Sequence, residues 1–308
     1  MKQTEKISEN KNCTMKNYLQ FIIPVCLVSW AVAGVAIWLG MRTTLGLAYT
    51  VFGSAYMLIP AVCAIVLQKI HKKQIVQPLK ISFKFNRWFL AAILTPIAVS
   101  LLALGINLLF TDVRFSATYE GLLSRLPAEQ AEPLQQQLLK FPPFIFFLIQ
   151  LVSAVIAGCT INAFFALGEE LGWRGYLLMA LSGKRFWAAS LITGSIWGIW
   201  HFPLILLGHN YPQHPVTGVF MMTVWCILLT PVITYTVLKS KSVITAAIYH
   251  GTLNAIAGIS ILYLTGGNDL TNGATGFAGF IALAVITSGF MLYDRYVTKE
   301  KIFFSKIK

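Results

Sequence analysis

Apolar residues fill most of the chain in runs of about 20, separated by short polar connections. An α-helix rises 1.5 Å per residue, so a run of roughly this length crosses the hydrocarbon core of a bilayer. The pattern therefore predicts an all-α polytopic bundle of about eight transmembrane helices. The predicted spans are 18–40, 44–68, 88–110, 142–182, 186–207, 216–238, 242–264 and 276–296.

Little of the chain is left outside these spans. Residues 18–296 are predicted to form one integral membrane domain, with tails at 1–17 and 297–308. The 142–182 run would reach roughly 60 Å as one straight helix, so a break near Gly158 is expected. The longest connection, 111–141, has leucines at helical spacing, which predicts one or two short amphipathic helices at the membrane surface.

Composition supports the membrane assignment. The 308 residues are 56% hydrophobic and only 11% charged, whereas soluble proteins average about 25% charged residues. The five cysteines are scattered singly along the chain, which is typical of small buried side chains and not of a disulfide framework.

The net charge of +13 is distributed unevenly across the connections. Nineteen Lys and Arg residues lie in alternate segments, 1–17, 69–87, 183–185, 239–241 and the tail after 294. The opposite connections hold four, Arg42, Arg114, Arg125 and Lys140. By the positive-inside rule, both termini are predicted to be cytoplasmic in a multi-pass protein of the cell membrane. The basic segments then contact anionic lipid, and a nucleic-acid partner is excluded.

Two adjacent acids, Glu169 and Glu170, interrupt an otherwise apolar run. A carboxylate at membrane depth is costly, and each member of a pair disfavours ionisation of the other. Arg174 follows Glu170 by four residues, so the two share a helix face and can pair. One ion pair would be enough to fix helix packing, so the second acid indicates chemistry rather than structure.

Two further polar sites lie in predicted spans, at His201 and at His250 with Asn254. His250 and Asn254 are four residues apart and share a face. Glu169 precedes Lys184 by 15 residues and His201 follows Arg185 by 16, so an antiparallel hairpin places them at similar depth, roughly 22–24 Å from the turn. The three helices are predicted to converge on one pocket that water reaches from the cytosol. Glycines beside the polar residues allow the close packing that this needs.

This set of groups fits the hydrolysis of a peptide bond. A partly desolvated glutamate can take a proton from water, while histidine and asparagine can stabilise an oxyanion. Carboxylate and imidazole are also zinc ligands, so Glu169, His201 and His250 would be the ligands of a metal-assisted variant. The residues leave both mechanisms open.

The three motifs together resemble those of the CPBP family. This family contains type II CAAX prenyl endopeptidases and bacteriocin-processing or bacteriocin-immunity (Abi) proteins. Glu169, Glu170 and Arg174 match its E-E-x-x-x-R motif, and His250 with Asn254 matches H-x-x-x-N. His201 matches F-x-x-x-H, except that Trp197 replaces the usual phenylalanine.

The resemblance covers roughly residues 145–260. It implies an intramembrane endopeptidase of the glutamate type, often described as a metalloprotease, with a peptide or prenylated peptide as substrate. Glu169 would activate water with assistance from His201. His250 and Asn254 would stabilise the oxyanion, and Glu170 and Arg174 would support the site.

Two alternatives stay open at this point. In the first alternative to an endopeptidase, the chain is a non-catalytic immunity protein that binds a bacteriocin or its receptor. In the second, it is a proton-coupled transporter, which is less favoured because no inverted repeat is evident. His209 and His214, in a connection, are interpreted as solvated loop residues. The sequence leaves the substrate and the oligomeric state undetermined.

Overall fold

A computed structural model describes residues 2–43, 46–124, 126 and 128–307, with side chains from Tyr18 onward. Arg125 and Lys308, which the charge distribution included, lie outside the described residues. The helices are α1 Lys2–Trp38, α2 Leu47–Met57, α3 Ile59–Ile70, α4 Arg87–Asn107, α5 Glu120–Leu123, α6 Ala128–Leu138, α7 Pro143–Cys159, α8 Ile161–Glu170, α9 Leu178–Ala180, α10 Phe186–Trp200, α11 Phe202–Leu206, α12 Pro215–Ser240, α13 Val243–Ile256, α14 Ile259–Tyr263 and α15 Phe277–Leu292. The only strands in the described chain are β1 Val113–Phe115 and β2 Leu264–Gly266, which pair antiparallel.

The predicted all-α, polytopic fold class is confirmed. Six helical segments within the described residues are long and apolar enough to cross a membrane. They are Tyr18–Trp38, Leu47–Ile70, Arg87–Asn107, Pro215–Ser240, Val243–Tyr263 and Phe277–Thr298. A seventh candidate combines α6 and α7, which meet at an angle of 98°.

The two remaining predicted spans, 142–182 and 186–207, are broken helices and not continuous ones. The first is interrupted between Cys159 and Ile161, which confirms the break expected near Gly158. The second is interrupted at His201, where α10 ends and α11 begins. Pro203 explains this second break, because proline cannot donate the backbone hydrogen bond that would continue α10.

The connections gather into two opposite ends of the bundle. At the first, here called the basic end, the 71–86 connection contacts the start of α13, where Val243 N donates to Lys80 O at 2.9 Å. At the other, here called the distal end, Tyr211 Oη donates to Thr275 O at 2.7 Å and β1 pairs with β2.

The chain ends in a segment that packs on the basic end. The backbone of Gly183 donates to Ile307 O at 2.8 Å, and Phe303 is buried against the ring of Phe186 at a centroid distance of 4.7 Å. This contact joins the predicted C-terminal tail to the turn between α9 and α10. At the other terminus, α1 begins at Lys2, within the predicted N-terminal tail.

Glycines allow close contact between the helices that carry the polar motifs. A Cβ atom on Gly198 of α10 would lie 2.4 Å from the Cα of Thr223 on α12. One on Gly251 of α13 would lie 2.6 Å from the backbone nitrogen of Ala163 on α8. Both distances are too short for any real side chain, so the predicted role of these small residues in helix packing is confirmed.

Two short helices occupy the long connection, as predicted. These are α5 and α6, which lie at the distal end before the bend into α7. Leu138 is buried and packs with Tyr119 and Tyr263 in a small apolar cluster that is separate from the main core. Most of the other buried apolar residues form the main core, which includes residues of α10, α12 and α13.

Candidate active site

The two adjacent acids end α8 and precede a stretch of π-helix, Leu171–Leu177. Both are buried, with 2% of Glu169 and none of Glu170 exposed. A π-helical turn is uncommon and is found mostly at functional sites. Glu169 and Glu170 themselves belong to regular α-helix, in which consecutive side chains point about 100° apart, so the two carboxylates have distinct surroundings.

The carboxylate of Glu170 is fully engaged with cationic and polar groups. Arg174 donates from Nη1 to both of its oxygens at 3.0 Å. The second terminal nitrogen of Arg174 donates to Thr230 Oγ1 on α12 at 3.1 Å. His250 donates from Nδ1 to Glu170 Oε1 at 3.0 Å. Glu170 therefore ties α8 to α13 directly and to α12 through the guanidinium.

The carboxylate of Glu169 receives only indole hydrogen bonds. Trp197 donates from Nε1 to Oε2 at 2.6 Å, and Trp173 donates to the same oxygen at 3.4 Å. In the described part of the chain the other oxygen, Oε1, has no hydrogen-bond partner, and Glu169 lines an internal cavity. One oxygen is thus held in place while the other stays free to take a proton.

His201 lies at the break between α10 and α11 and is 6% exposed. The carbonyl of Trp197 accepts a hydrogen bond from its Nδ1 at 2.7 Å. This bond fixes the tautomer, because a carbonyl can only accept. When the imidazole is neutral, its Nε2 carries a lone pair and can accept a proton or orient a water molecule.

One cavity of about 340 Å³ joins these groups. Its size is within the range of small-molecule and peptide pockets. Glu169, His201, His250 and Asn254 all line it, and the amide of Asn254 is exposed. The predicted convergence of three polar sites on one pocket is therefore found. Glu170 and Arg174 are not in its lining and lie behind it.

The predicted zinc ligands do not form a metal site. Among the described residues, no group of three His, Cys, Asp or Glu side chains is arranged to hold a metal ion. Glu169, His201 and His250 are thus not gathered into such a group, and no reaction step is assigned to a metal.

Three contributors were missed in the sequence. Trp197 was interpreted only as an aromatic replacement for phenylalanine. Its indole N–H, which phenylalanine lacks, could have indicated a buried hydrogen bond. Asn162, two helical turns before Glu169, also lines the cavity and donates to Gly251 O at 3.3 Å. Thr230 supports Arg174 from α12, and nothing in its local sequence marks it.

The interpretation of one of the two loop histidines also changes. His209 lines the cavity and is half-buried, and its ring lies 6.0 Å from that of Tyr49. Burial lowers the pKa of His209 to about 4, so its imidazole is uncharged at neutral pH. His214 pairs through Nδ1 with Asp269 Oδ1 at 2.6 Å. His209 was wrongly interpreted as solvated, because its connection lines the distal part of the cavity.

Comparison with known proteins agrees with the motifs. Residues 140–256 match the family model for Rce1-like type II CAAX prenyl endopeptidases. The predicted resemblance to the CPBP family is confirmed over this segment. It contains all six predicted site residues, from Glu169 to Asn254.

A curated relative extends the similarity. The CAAX prenyl protease 2 of Methanococcus maripaludis is 33% identical over an alignment of 149 residues, which covers 45% of this chain. The chain spans about half of that relative, 48% of its length. The activity of the whole relative is therefore not transferred directly to this chain.

Proposed function

We propose that this chain is an intramembrane endopeptidase that hydrolyses a peptide bond with water activated by Glu169. The proposal rests most on one observation, the free Oε1 of Glu169 in a cavity that also holds two imidazoles and an amide. The family match and the name of the archaeal relative support the same class of reaction. The substrate class is a CAAX-like prenylated peptide, a bacteriocin precursor or another membrane peptide.

The reaction follows from the groups present. Water attacks the scissile carbonyl carbon while Glu169 Oε1 accepts one of its protons. The carbonyl oxygen becomes an oxyanion that the amide of Asn254 and the Nε2–H of His250 stabilise. Collapse of this tetrahedral species breaks the C–N bond, and protonated Glu169 returns the proton to the leaving amine. His201 orients the water through its Nε2.

The charges in the buried cluster support the role given to His250. Two ionised glutamates and one arginine leave a net charge of −1, which is costly in a low-dielectric interior. Protonation of His250 beside Glu170 makes the cluster neutral. An imidazolium carries a proton on both nitrogens, so Nε2–H is then available to an oxyanion.

Trp197 acts as a positioning residue in this proposal. Its indole holds Glu169 Oε2 at 2.6 Å and packs over the guanidinium of Arg174, whose Cζ lies 4.3 Å from the ring centroid. The ring also meets that of His250 edge-on at a centroid distance of 5.4 Å. A phenylalanine could make the packing contacts but could not donate the hydrogen bond.

The test is proteolysis by purified protein in lipid nanodiscs. Farnesylated CAAX peptides and unprenylated membrane-anchored peptides serve as probes, with products identified by mass spectrometry. In ¹⁸O-labelled water, the new carboxyl terminus is expected to carry one ¹⁸O atom from the attacking water.

The Glu169→Ala protein, shown to be folded by its elution profile, is the control and is expected to release no product. Equal cleavage by wild type and Glu169→Ala would reject the mechanism. Cleavage of neither probe class by wild-type protein would reject this substrate range.

A further inference from the structure

The direction in which the catalytic cavity opens indicates from which side of the membrane a substrate enters. Beyond Glu169 and the imidazoles, the lining continues through residues of two distal connections and the start of α2, namely His209, Asn210, Thr275, Tyr49 and Thr50. Asn210 and Thr50 are exposed. The cavity therefore runs from the acids toward the distal end of the bundle.

The same site is closed toward the basic end. Trp173, Arg174 and Leu177 follow Glu169 on the π-helical turn, and none of the three has any exposed surface. Leu79 of the 71–86 connection is also fully buried. A Cβ atom on Gly175 would lie 3.3 Å from the carbonyl oxygen of Leu79, so this connection rests directly on the turn. Within the described chain, packed side chains fill the route from the basic end to the acids.

The charges mark which face of the membrane each end meets. Of the 24 Lys and Arg residues, 19 belong to the segments of the basic end and four to the distal connections. Five of the acidic residues, in contrast, lie in the distal connections: Asp112, Glu120, Glu129, Glu132 and Asp269. Because positively charged connections stay in the cytoplasm, the basic end is cytoplasmic and the distal end faces outward.

Two expectations from the sequence are therefore incompatible. The positive-inside rule places both termini in the cytoplasm, and the pocket was expected to take water from the cytosol. Both cannot hold, because the cavity and the basic connections lie at opposite ends. The charge asymmetry is the stronger argument of the two, since it is based on the positions of 23 Lys and Arg residues. The expected opening to the cytosol was based only on distance along the helices from one turn.

We propose that the catalytic site admits its substrate from the outer face of the membrane. The substrate class is then an exported or membrane-anchored peptide presented outside the cell, and not a prenylated protein anchored to the cytoplasmic leaflet. The part of this inference that concerns the substrate rests on the proposed function. The direction in which the cavity opens does not depend on activity. The entrance suits a peptide backbone, because its rim is polar and holds no Lys or Arg among the described residues.

The direction of opening is tested by thiol labelling in a variant whose five native cysteines are alanine. Single cysteines replace Gln74 at the basic end, Thr111 at the distal end and Ser54 in the cavity lining. Intact cells are treated with a charged, membrane-impermeant thiosulfonate, and the remaining thiols are counted by mass tagging after lysis. Permeabilised cells give the total that can react.

The expected result is complete labelling of Thr111→Cys and Ser54→Cys from outside, with Gln74→Cys reacting only after permeabilisation. Labelling of Gln74→Cys alone in intact cells would overturn the orientation. The direction of opening would be overturned if Thr111→Cys were labelled in intact cells while Ser54→Cys reacted only from the cytoplasmic side. Each outcome is read without any assay of cleavage.

A second measurement links the opening to the substrate. Right-side-out and inverted membrane vesicles containing wild-type protein receive a soluble, impermeant peptide that the purified enzyme cleaves. Cleavage is expected at least tenfold faster in right-side-out vesicles, and a preference for inverted vesicles would contradict the proposal. If detergent-solubilised protein cleaves nothing, the proposed function fails while the labelling result still stands.

Discussion

Glu169 and Glu170 are neighbours in the chain but occupy two different regions of the molecule. The region around Glu170 is closed. Its carboxylate contacts Arg174 and His250, and Arg174 in turn contacts Thr230, so that this network holds α8, α12 and α13 together. The region around Glu169 is open on one side, and its carboxylate is held by a single oxygen. Under the proposed mechanism, one motif therefore supplies both a structural charge and a reactive one.

This division of labour follows from the cost of charge in a membrane protein. Burying an ion pair is costly unless hydrogen bonds satisfy its groups; both oxygens of Glu170 accept such bonds, while Arg174 Nε has no partner among the described residues. Glu169 instead lacks an arginine partner and keeps one oxygen free, an arrangement without structural benefit. The predictions below separate the two regions by their effects on stability and on turnover.

Loss of Arg174 is expected to have the largest effect. Arg174→Met keeps the length of the side chain but leaves Glu170 without its bidentate partner, so the free energy of unfolding should fall by about 3–5 kcal/mol. Thermal denaturation in detergent measures this loss. A matched exposed change, Arg185→Met, should leave the melting temperature within a degree or two. An unchanged melting temperature in Arg174→Met would contradict the role of the network.

Replacement of His250 should act on turnover. His250→Gln keeps a hydrogen-bond donor toward Glu170 but loses the proton on Nε2 that faces the cavity, so kcat should fall about 10²-fold, as for loss of one oxyanion donor. Steady-state kinetics on the cleaved probe gives the value. A change confined to KM would indicate that His250 binds substrate without stabilising the transition state.

The indole of Trp197 offers a finer test. Trp197→Phe keeps the ring over Arg174 but removes the hydrogen bond to Glu169, so kcat should fall about tenfold, equivalent to about 1.4 kcal/mol, with KM unchanged.

The matched control for this change is Trp225→Phe. Trp225 also lines the cavity but donates to the carbonyl of Ala274 at 2.7 Å. Equal losses in the two variants would show that any buried indole bond has the same effect, and the positioning role would be discarded.

The smallest effect is expected at Thr230. Thr230→Val removes the hydroxyl that accepts from Arg174 Nη2 and should lower the free energy of unfolding by about 1 kcal/mol, with kcat within a factor of two. Chemical denaturation and the same kinetic assay check both values. A fall in kcat larger than that of Trp197→Phe would place Thr230 closer to the chemistry than the geometry does.

Much of this architecture is visible in the sequence, because bilayer insertion imposes long apolar runs and a charge bias. The polar exceptions at Glu169, His201 and His250 indicated where the cavity lies, since nothing in lipid favours them. Glu169 and His201 lie at equal distances from the turn between their helices, which was enough to predict that both line one cavity.

The remainder depends on three-dimensional contacts that local patterns do not encode. The helix break at His201 was not predicted, although Pro203 marks it in the sequence. The distinct surroundings of the two glutamates depend on Trp197 and His250 from other helices. The direction of the opening depends on how Leu79 and the distal connections pack over opposite ends of the site.

The most direct test of the central claim compares Glu169→Gln and Glu170→Gln in the same preparation, with single-turnover cleavage and melting temperature measured for each. The account predicts that Glu169→Gln loses at least about 10³-fold in cleavage rate, near the range for a lost general base, and keeps its melting temperature. Glu170→Gln should show the larger fall in melting temperature. The reverse assignment, with full cleavage by Glu169→Gln or the greater loss of stability at that position, would contradict it.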